Sequence, residues 1–288
     1  MSRRKSEIRA GNPAAPLAPD AAEIAAFREV VLDFFATQGR TLPWRETRDP
    51  YAILVSEIML QQTQVDRVKE KYREFLAQFP TLEALAAAEL SLVLSVWQGL
   101  GYNRRALALK NCAQAVVERL DGKLPADIAQ LESLPGIGPY TARAVAAFAF
   151  GIPSPFIETN IRSVFILHFF PGAESVHDRD LLPLVEATLL RDRAREWYYA
   201  LMDYGAMLKR TRVNPGRQSA HHVRQSPFRG SNRERRSLIL RNILASPGIT
   251  HNELAHALPD QAESLAGNLE RLEREGFIRR EQGGFVIS

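Results

Sequence analysis

Three stretches of the chain carry residue types that could do chemistry. Glu57 sits in YAILVSEIMLQQTQ, where Ile53, Leu54, Ile58 and Leu60 are apolar on nearly every side. A carboxyl on such a helix must be paired, hydrogen-bonded or protonated, and burial raises its proton affinity toward the range of a general acid. The same surroundings also suit a purely structural acid. Gln61, Gln62 and Gln64 follow, and a glutamine cluster at a helix end is either solvated or bonds to the edges of nucleobases.

Glu158-Thr159-Asn160 in FIETNIRSVFI puts a second carboxylate directly before an apolar helix, where it serves as an N-cap or faces a reacting group. The third stretch is LESLPGIGPYTARAVAAF at 131–148. It ends one helix at Leu134, turns through Pro135-Gly136-Ile137-Gly138 with positive φ available at two glycines, and starts another helix at Pro139. Such a hairpin exposes backbone N–H groups that can bind a phosphate without side-chain charge, or it needs glycine for its geometry alone.

Helices must hold these stretches in place. Asp20 with Glu23 is an N-capping pattern, and Ile24, Phe27, Val31 and Phe34 recur at helical spacing until Gly39. Helical periodicity returns at about 50–62, 65–78, 80–97, 102–119, 127–133 and 139–150, punctuated by Pro80, Gly99, Gly101, Gly122, Pro135 and Gly136. Further helices fit 160–169, 179–189 and 193–208. Past Pro227 come helices at 232–245, 250–257 and 262–275, then a hairpin in FIRREQGGFVI turning on Gly283-Gly284, the order of a winged helix-turn-helix. The fold class is all-α with one small β-hairpin wing. Residues 1–19 hold three prolines and no periodic apolar pattern, which suits a disordered tail.

A chain of 288 residues has room for two domains or three, and 45% apolar with 24% charged residues excludes wholesale disorder, collagen and a fibrous coil. No apolar run approaches the roughly 20 residues that cross a bilayer, and the basic start has no apolar segment behind it. A soluble, unexported, cytoplasmic protein is expected. Cys112 is the single cysteine, which excludes an intrachain disulfide and any site built from two or more of this chain's thiolates. Net charge is only +4, yet Lys209 to Arg236 holds nine Lys/Arg against Glu234 alone, leaving the remainder at −4. Local basic character fits a polyanionic partner.

LPWR at 42–45, SEIMLQQTQV at 56–65, WQGLGYNRRA at 97–106, LPGIGPYTA at 134–142 and MDYGAM at 202–207 occur together and in one order. The set closely resembles the helix-hairpin-helix DNA glycosylases, and within them the adenine glycosylases of A/G-mismatch repair, over roughly residues 24–208. The resemblance implies two helical lobes, 45–155 and 20–44 plus 156–208, followed by a basic linker at 209–231 and the winged helix domain at 232–288. It implies base excision repair: a base, first of all adenine opposite 8-oxoguanine or G, is flipped from the duplex and its N-glycosidic bond hydrolysed.

On that resemblance Glu57 stands at the general acid, which protonates the adenine ring nitrogen N7 to improve the leaving group. Gln62 matches a residue that probes the gap left by the flipped nucleotide, and Tyr102 an aromatic wedge between bases. Tyr140 falls where bifunctional members carry a lysine nucleophile; a phenol forms no Schiff base, so no lyase activity is expected. Asn160 matches a polar residue near the sugar. Glu158 falls on the essential aspartate, whose charge stabilises the developing deoxyribose cation. Trp44 and Arg45 are the expected base-pocket residues. Gln61, Arg104, Arg105, Gly136, Gly138, Lys209, Arg210 and Arg212 are the expected further DNA contacts.

The chain departs from that pattern in three ways. The aspartate is a glutamate, one methylene longer. The four cysteines of the family's [4Fe-4S] cluster are replaced by LKRTRVNPGRQSAHHVRQSPF, so no cluster, cofactor or metal is expected, and the basic stretch keeps only the electrostatic attraction to DNA. The 8-oxoguanine-reading domain gives way to the winged helix, whose presumed recognition helix carries Glu263, Glu270, Glu273 and Glu275 against Arg271 and Arg274; contact with DNA and contact with a protein partner both remain open for it. The expectation is a monomeric, nucleoid-associated enzyme acting on mismatched double-stranded DNA. The alternatives are excision of thymine or uracil opposite G, and a non-catalytic damage-binding protein.

Overall fold

The computed structural model describes residues 19–211, 214–222 and 227–288. The expected tail, up to residue 18, and Arg212 lie outside the described residues. In chain order the helices are α1 (Ala21–Gln38), α2 (Pro50–Leu60), α3 (Val65–Gln78), α4 (Leu82–Ala87), α5 (Leu90–Trp97), α6 (Arg104–Arg119) and α7 (Ile128–Glu132). They continue with α8 (Pro139–Phe150), α9 (Thr159–Phe169), α10 (Asp178–Thr188), α11 (Ala194–Thr211), α12 (Asn232–Ala245), α13 (His251–Ala257) and α14 (Ala262–Arg274), and the chain ends on strands β1 (Ile278–Glu281) and β2 (Gly284–Ile287). Among the described residues no helix is long and apolar enough to cross a membrane. The stretch expected as one helix at 80–97 is two, because Ala88 is extended and Glu89 starts a new helix.

The described residues form two compact units, 19–41 with 146–222 and 42–145 with 227–288. In the first unit, α1 opens at a capping box in which Asp20 and Glu23 exchange hydrogen bonds. Its buried Phe27 meets the rings of Phe165, Phe169 and Trp197 at 5.1–5.8 Å between centroids. Arg28 donates to the carbonyls of Ala187, Thr188 and Leu189 and so closes the C-terminal end of α10. Gly205 of the MDYGAM motif lies so close to α9 that a Cβ there would stand 2.4 Å from the Asn160 carbonyl oxygen. The motif therefore needs glycine for close helix packing.

In the second unit, the winged helix does not stand alone: residues 227–288 cluster with 42–145. One electrostatic reason is Glu275, the C-cap of α14, whose carboxylate accepts from Arg104 Nε at 2.9 Å and from Arg236 Nη1 at 2.9 Å. The hydrogen bonds of Arg104 and Arg236 hold that carboxyl down at about 2. The wing turns on Gln282-Gly283, both at positive φ, rather than on Gly283-Gly284. Gly284 instead pairs with Glu281 in the strand, where a Cβ would collide with the Gly248 carbonyl oxygen at 1.8 Å.

Because the folded pKa of Glu275 lies below the ordinary 4.5, its stabilisation is fully present above that pH and fades as pH falls toward 2. Glu275→Gln is expected to cost about 1 kcal/mol at pH 7. In urea titrations the gap between wild type and variant should narrow between pH 4.5 and pH 3; a gap that stays constant contradicts the assignment.

Candidate active site

α2 starts where Asp49 accepts from the Tyr51 N–H and Pro50 takes the first helical position. Every side chain from Tyr51 to Met59 is buried, and Glu57 retains only 5% of its exposure. A carboxyl so placed needs a polar partner. The Tyr140 hydroxyl, in the first turn of α8, donates to Glu57 Oε2 at 2.8 Å. The hairpin between α7 and α8 makes that meeting possible. Gly136 has φ +75°, and a Cβ there would come within 2.6 Å of the Ala108 Cβ, so both backbone and space require glycine. Arg143 and Glu132 bridge the two helices at 2.5 Å. Of the two hairpin glycines only Gly136 takes positive φ; Gly138 is exposed, with no heavy atom near the position of a Cβ.

Arg105 was expected to meet DNA, and the structure turns it inward. Its Nη1 donates to the carbonyls of Ile58, Met59 and Gln61 at the end of α2, and its Nη2 to Thr63 Oγ1, Leu100 O and Gly101 O. Burial lowers its guanidinium pKa to about 10. This one side chain ties the α2 C-terminus to the loop before α6, and the Trp97 indole N–H adds a bond to Gly101 O at 3.1 Å. The consequence is presentation. Gln62 (φ +56°, exposed) and Tyr102 (φ +50°, half-buried) both sit on left-handed backbone, a strained conformation that persists only where neighbours impose it. Gln61 reaches Thr141 Oγ1 at 3.4 Å. Arg104, exposed on the next turn, is engaged by Glu275.

Trp44 is a core residue rather than an open pocket wall: it is 3% exposed and packs edge-on against Tyr72 with centroids 5.5 Å apart. Arg45 follows in the same short helical turn, half-buried.

Glu158 and Asn160 belong to the other unit. There Glu158 caps α9. Its Oε1 accepts from the Asn160 and Ile161 N–H groups at 2.7 and 2.8 Å, and its Oε2 from Thr159 Oγ1 at 3.1 Å and Asn160 Nδ2 at 3.2 Å. The longer glutamate arm thus serves its own helix. Those four donors occupy the carboxylate's lone pairs. Lys209, expected on DNA, is half-buried. Burial pushes its ammonium below the ordinary lysine range, against the opposing pull of Glu158, with Arg162 adding to the drop. Arg210 is exposed.

Residues 55–196, which hold Glu57, Tyr102, the hairpin and Glu158, match the HhH-GPD superfamily base excision DNA repair proteins. A thymine/uracil-DNA glycosylase of Pyrobaculum aerophilum is 33% identical over 197 residues, 65% of this chain and 85% of that protein. The chain belongs to the HhH-GPD superfamily. An adenine DNA glycosylase of Mycolicibacterium smegmatis is 40% identical over 178 residues, and the match spans 61% of that protein's length. Among solved structures, a thermostable thymine-DNA glycosylase has a TM-score of 0.61 at 29% identity, covering 68% of this chain and 93% of that one.

The residues present do not fit the iron–sulfur cluster of the family pattern from which the chain departs. Cys112 is buried within α6. Among the described residues no three His, Cys, Asp or Glu side chains gather as metal ligands. The described segment after α11 is held by other means. Asn214 Oδ1 accepts from Gly216 N at 2.9 Å and Ser163 Oγ at 3.3 Å, and Val176 bridges Ser219 through backbone bonds. Sequence reasoning also missed Thr141, buried beside Gln61, and the Arg143–Glu132 bridge. An arginine and a glutamate on separate helices carry no local signal of pairing.

Gly136→Ala is expected to lower unfolding stability by about 2 kcal/mol, combining a strained φ with the Ala108 contact. Gly138→Ala should stay within about 0.5 kcal/mol of wild type. Urea midpoints that fall equally for the two would contradict this account of the hairpin.

Proposed function

We propose that this chain is a monofunctional DNA glycosylase that removes a flipped adenine, opposite 8-oxoguanine or G, from double-stranded DNA without an iron–sulfur cluster. The observation that carries the reading is the buried Glu57 carboxyl with a tyrosine hydroxyl on it. A carboxyl withdrawn from water favours its protonated form, and adenine departs poorly as an anion. Glu57 passes its proton to N7 as the bond between the sugar C1′ and the base nitrogen breaks, with the bonding electrons leaving on the now neutral base. Water adds its oxygen to C1′ and gives up a proton, which restores the Glu57 carboxyl through solvent, leaving an abasic site. Glu158, with its lone pairs engaged by the α9 cap, acts by charge on the oxocarbenium-like sugar rather than as a nucleophile.

Tyr140 in place of a lysine supports hydrolysis without strand cleavage. The adenine DNA glycosylase relative supports adenine as the base. The open approach to Gly138 supports a backbone phosphate contact at the hairpin, and exposed Arg210 a further one. A second reading, removal of thymine or uracil opposite G, is favoured by the Pyrobaculum aerophilum relative, of which the chain covers 85%.

Single-turnover assays on duplexes with A opposite 8-oxoguanine, A opposite G, T opposite G and U opposite G, developed with alkali, separate these readings. Adenine duplexes should give alkali-labile sites, and Glu57→Gln should slow their formation at least about a hundredfold with duplex affinity within about twofold. Cleavage of the T and U duplexes alone would move the assignment to the second reading. No scission above the Glu57→Gln control on any duplex overturns the glycosylase.

A further inference from the structure

The winged helix reaches Tyr102, the residue that the resemblance makes the aromatic wedge. Arg233, in the first turn of α12, donates from Nη1 to the Tyr102 hydroxyl, and its guanidinium carbon lies 4.9 Å from the centre of the Tyr102 ring. The Arg105 guanidinium lies 5.3 Å from the same ring. α12 is itself fastened to the start of α6, because Arg236 and Arg104 share the Glu275 carboxylate, at 2.5 Å from Arg236 Nη2. Tyr102 therefore rests against a domain on which its hydroxyl, the leading edge of any inserting ring, is already bonded.

A phenol cannot enter a base stack while its hydroxyl is held by its own protein. Insertion must break a charge-assisted hydrogen bond and a cation–π contact. A duplex must open readily enough to offset that loss, and mismatched or damaged pairs open more readily than intact ones. The tether costs the inserted state the same on all DNA, so insertion at a weakened pair, where its equilibrium constant is large, stays near complete, whereas the small inserted fraction at an intact pair falls in proportion. Tyr102 follows Gly99 at φ +91° and, directly, Gly101 at φ +71° and is itself on left-handed backbone, a strained run that a change of conformation would relax.

We propose that Arg233 is a specificity-determining residue: it tethers the Tyr102 wedge to the winged helix until a weakened base pair accepts it. This rests on the base-flipping reading above. It also gives the winged helix a role that its acidic α14 does not, since the domain then acts through α12 on its own chain.

The test is a pair of variants in the full chain. Tyr102→Phe keeps the wedge ring and every charge but removes the tethered hydroxyl; Arg233→Ala removes the tether from the other side. Fluorescence of 2-aminopurine next to the target adenine reports insertion, in one duplex with A opposite 8-oxoguanine and in one with A opposite T. Both variants should raise the signal on the intact duplex, by about tenfold in the inserted population, and so narrow the ratio between damaged and intact DNA. Combining them should add little beyond either one. A fall in both signals would make Arg233 a support for the wedge and overturn the proposal, and so would unchanged ratios in a chain that excises adenine normally. A wild-type chain that neither inserts nor excises sinks the glycosylase reading and this inference with it.

Discussion

The second unit is organised around a carboxyl that cannot be left alone. Glu57 lies on a helix whose other faces are apolar and buried, so in this position it is stable only with a polar partner in reach. Tyr140 supplies that partner from the far side of the glycine hairpin. The hairpin's sharp turn, the glycine at Gly136 and the bridge from Arg143 to Glu132 are what deliver the phenol to the right place. A phenol leaves the acid more freedom than a cation would. A lysine or arginine at the same position would favour an ionised carboxyl, whereas the Tyr140 hydroxyl is a neutral donor.

A second constraint ties presentation to the core. Arg105 spends its donors on six acceptors at the end of α2 and in the loop before α6. The two left-handed residues, Gln62 and Tyr102, are thereby fixed relative to the acid-bearing helix. Backbone strain at an exposed glutamine and a half-buried tyrosine persists here because a half-buried cation and its six acceptors impose it. In the other unit Glu158 caps α9, and four hydrogen bonds from residues 159–161 hold its carboxylate in one place.

Much of this was legible in the sequence, for identifiable reasons. The apolar setting of Glu57, the glycine turn at 135–138 and the helix order of the winged domain follow from local periodicity and turn chemistry, which tertiary contacts did not override. What escaped depends on partners far along the chain. Arg104 and Arg105 are neighbours and look alike in NRRA, yet one faces Glu275 and the other the open carbonyls of α2, and no local pattern separates them. The place of Trp44 came from the resemblance alone, because its burial against Tyr72 is a tertiary fact. The wing's turn was misplaced by one residue, since two glycines in a row offer two registers and the choice rests on the contact between Gly284 and Gly248.

The central claim, that Glu57 donates the proton and Tyr140 tunes it, is tested most directly by pH–rate profiles of wild type and Tyr140→Phe, measured under single-turnover conditions on a duplex with A opposite 8-oxoguanine. A hydroxyl that donates to the carboxylate favours the ionised form, so its removal should shift the loss of activity at rising pH to a higher pH while excision continues. Superimposable profiles, or a shift to lower pH, would contradict it.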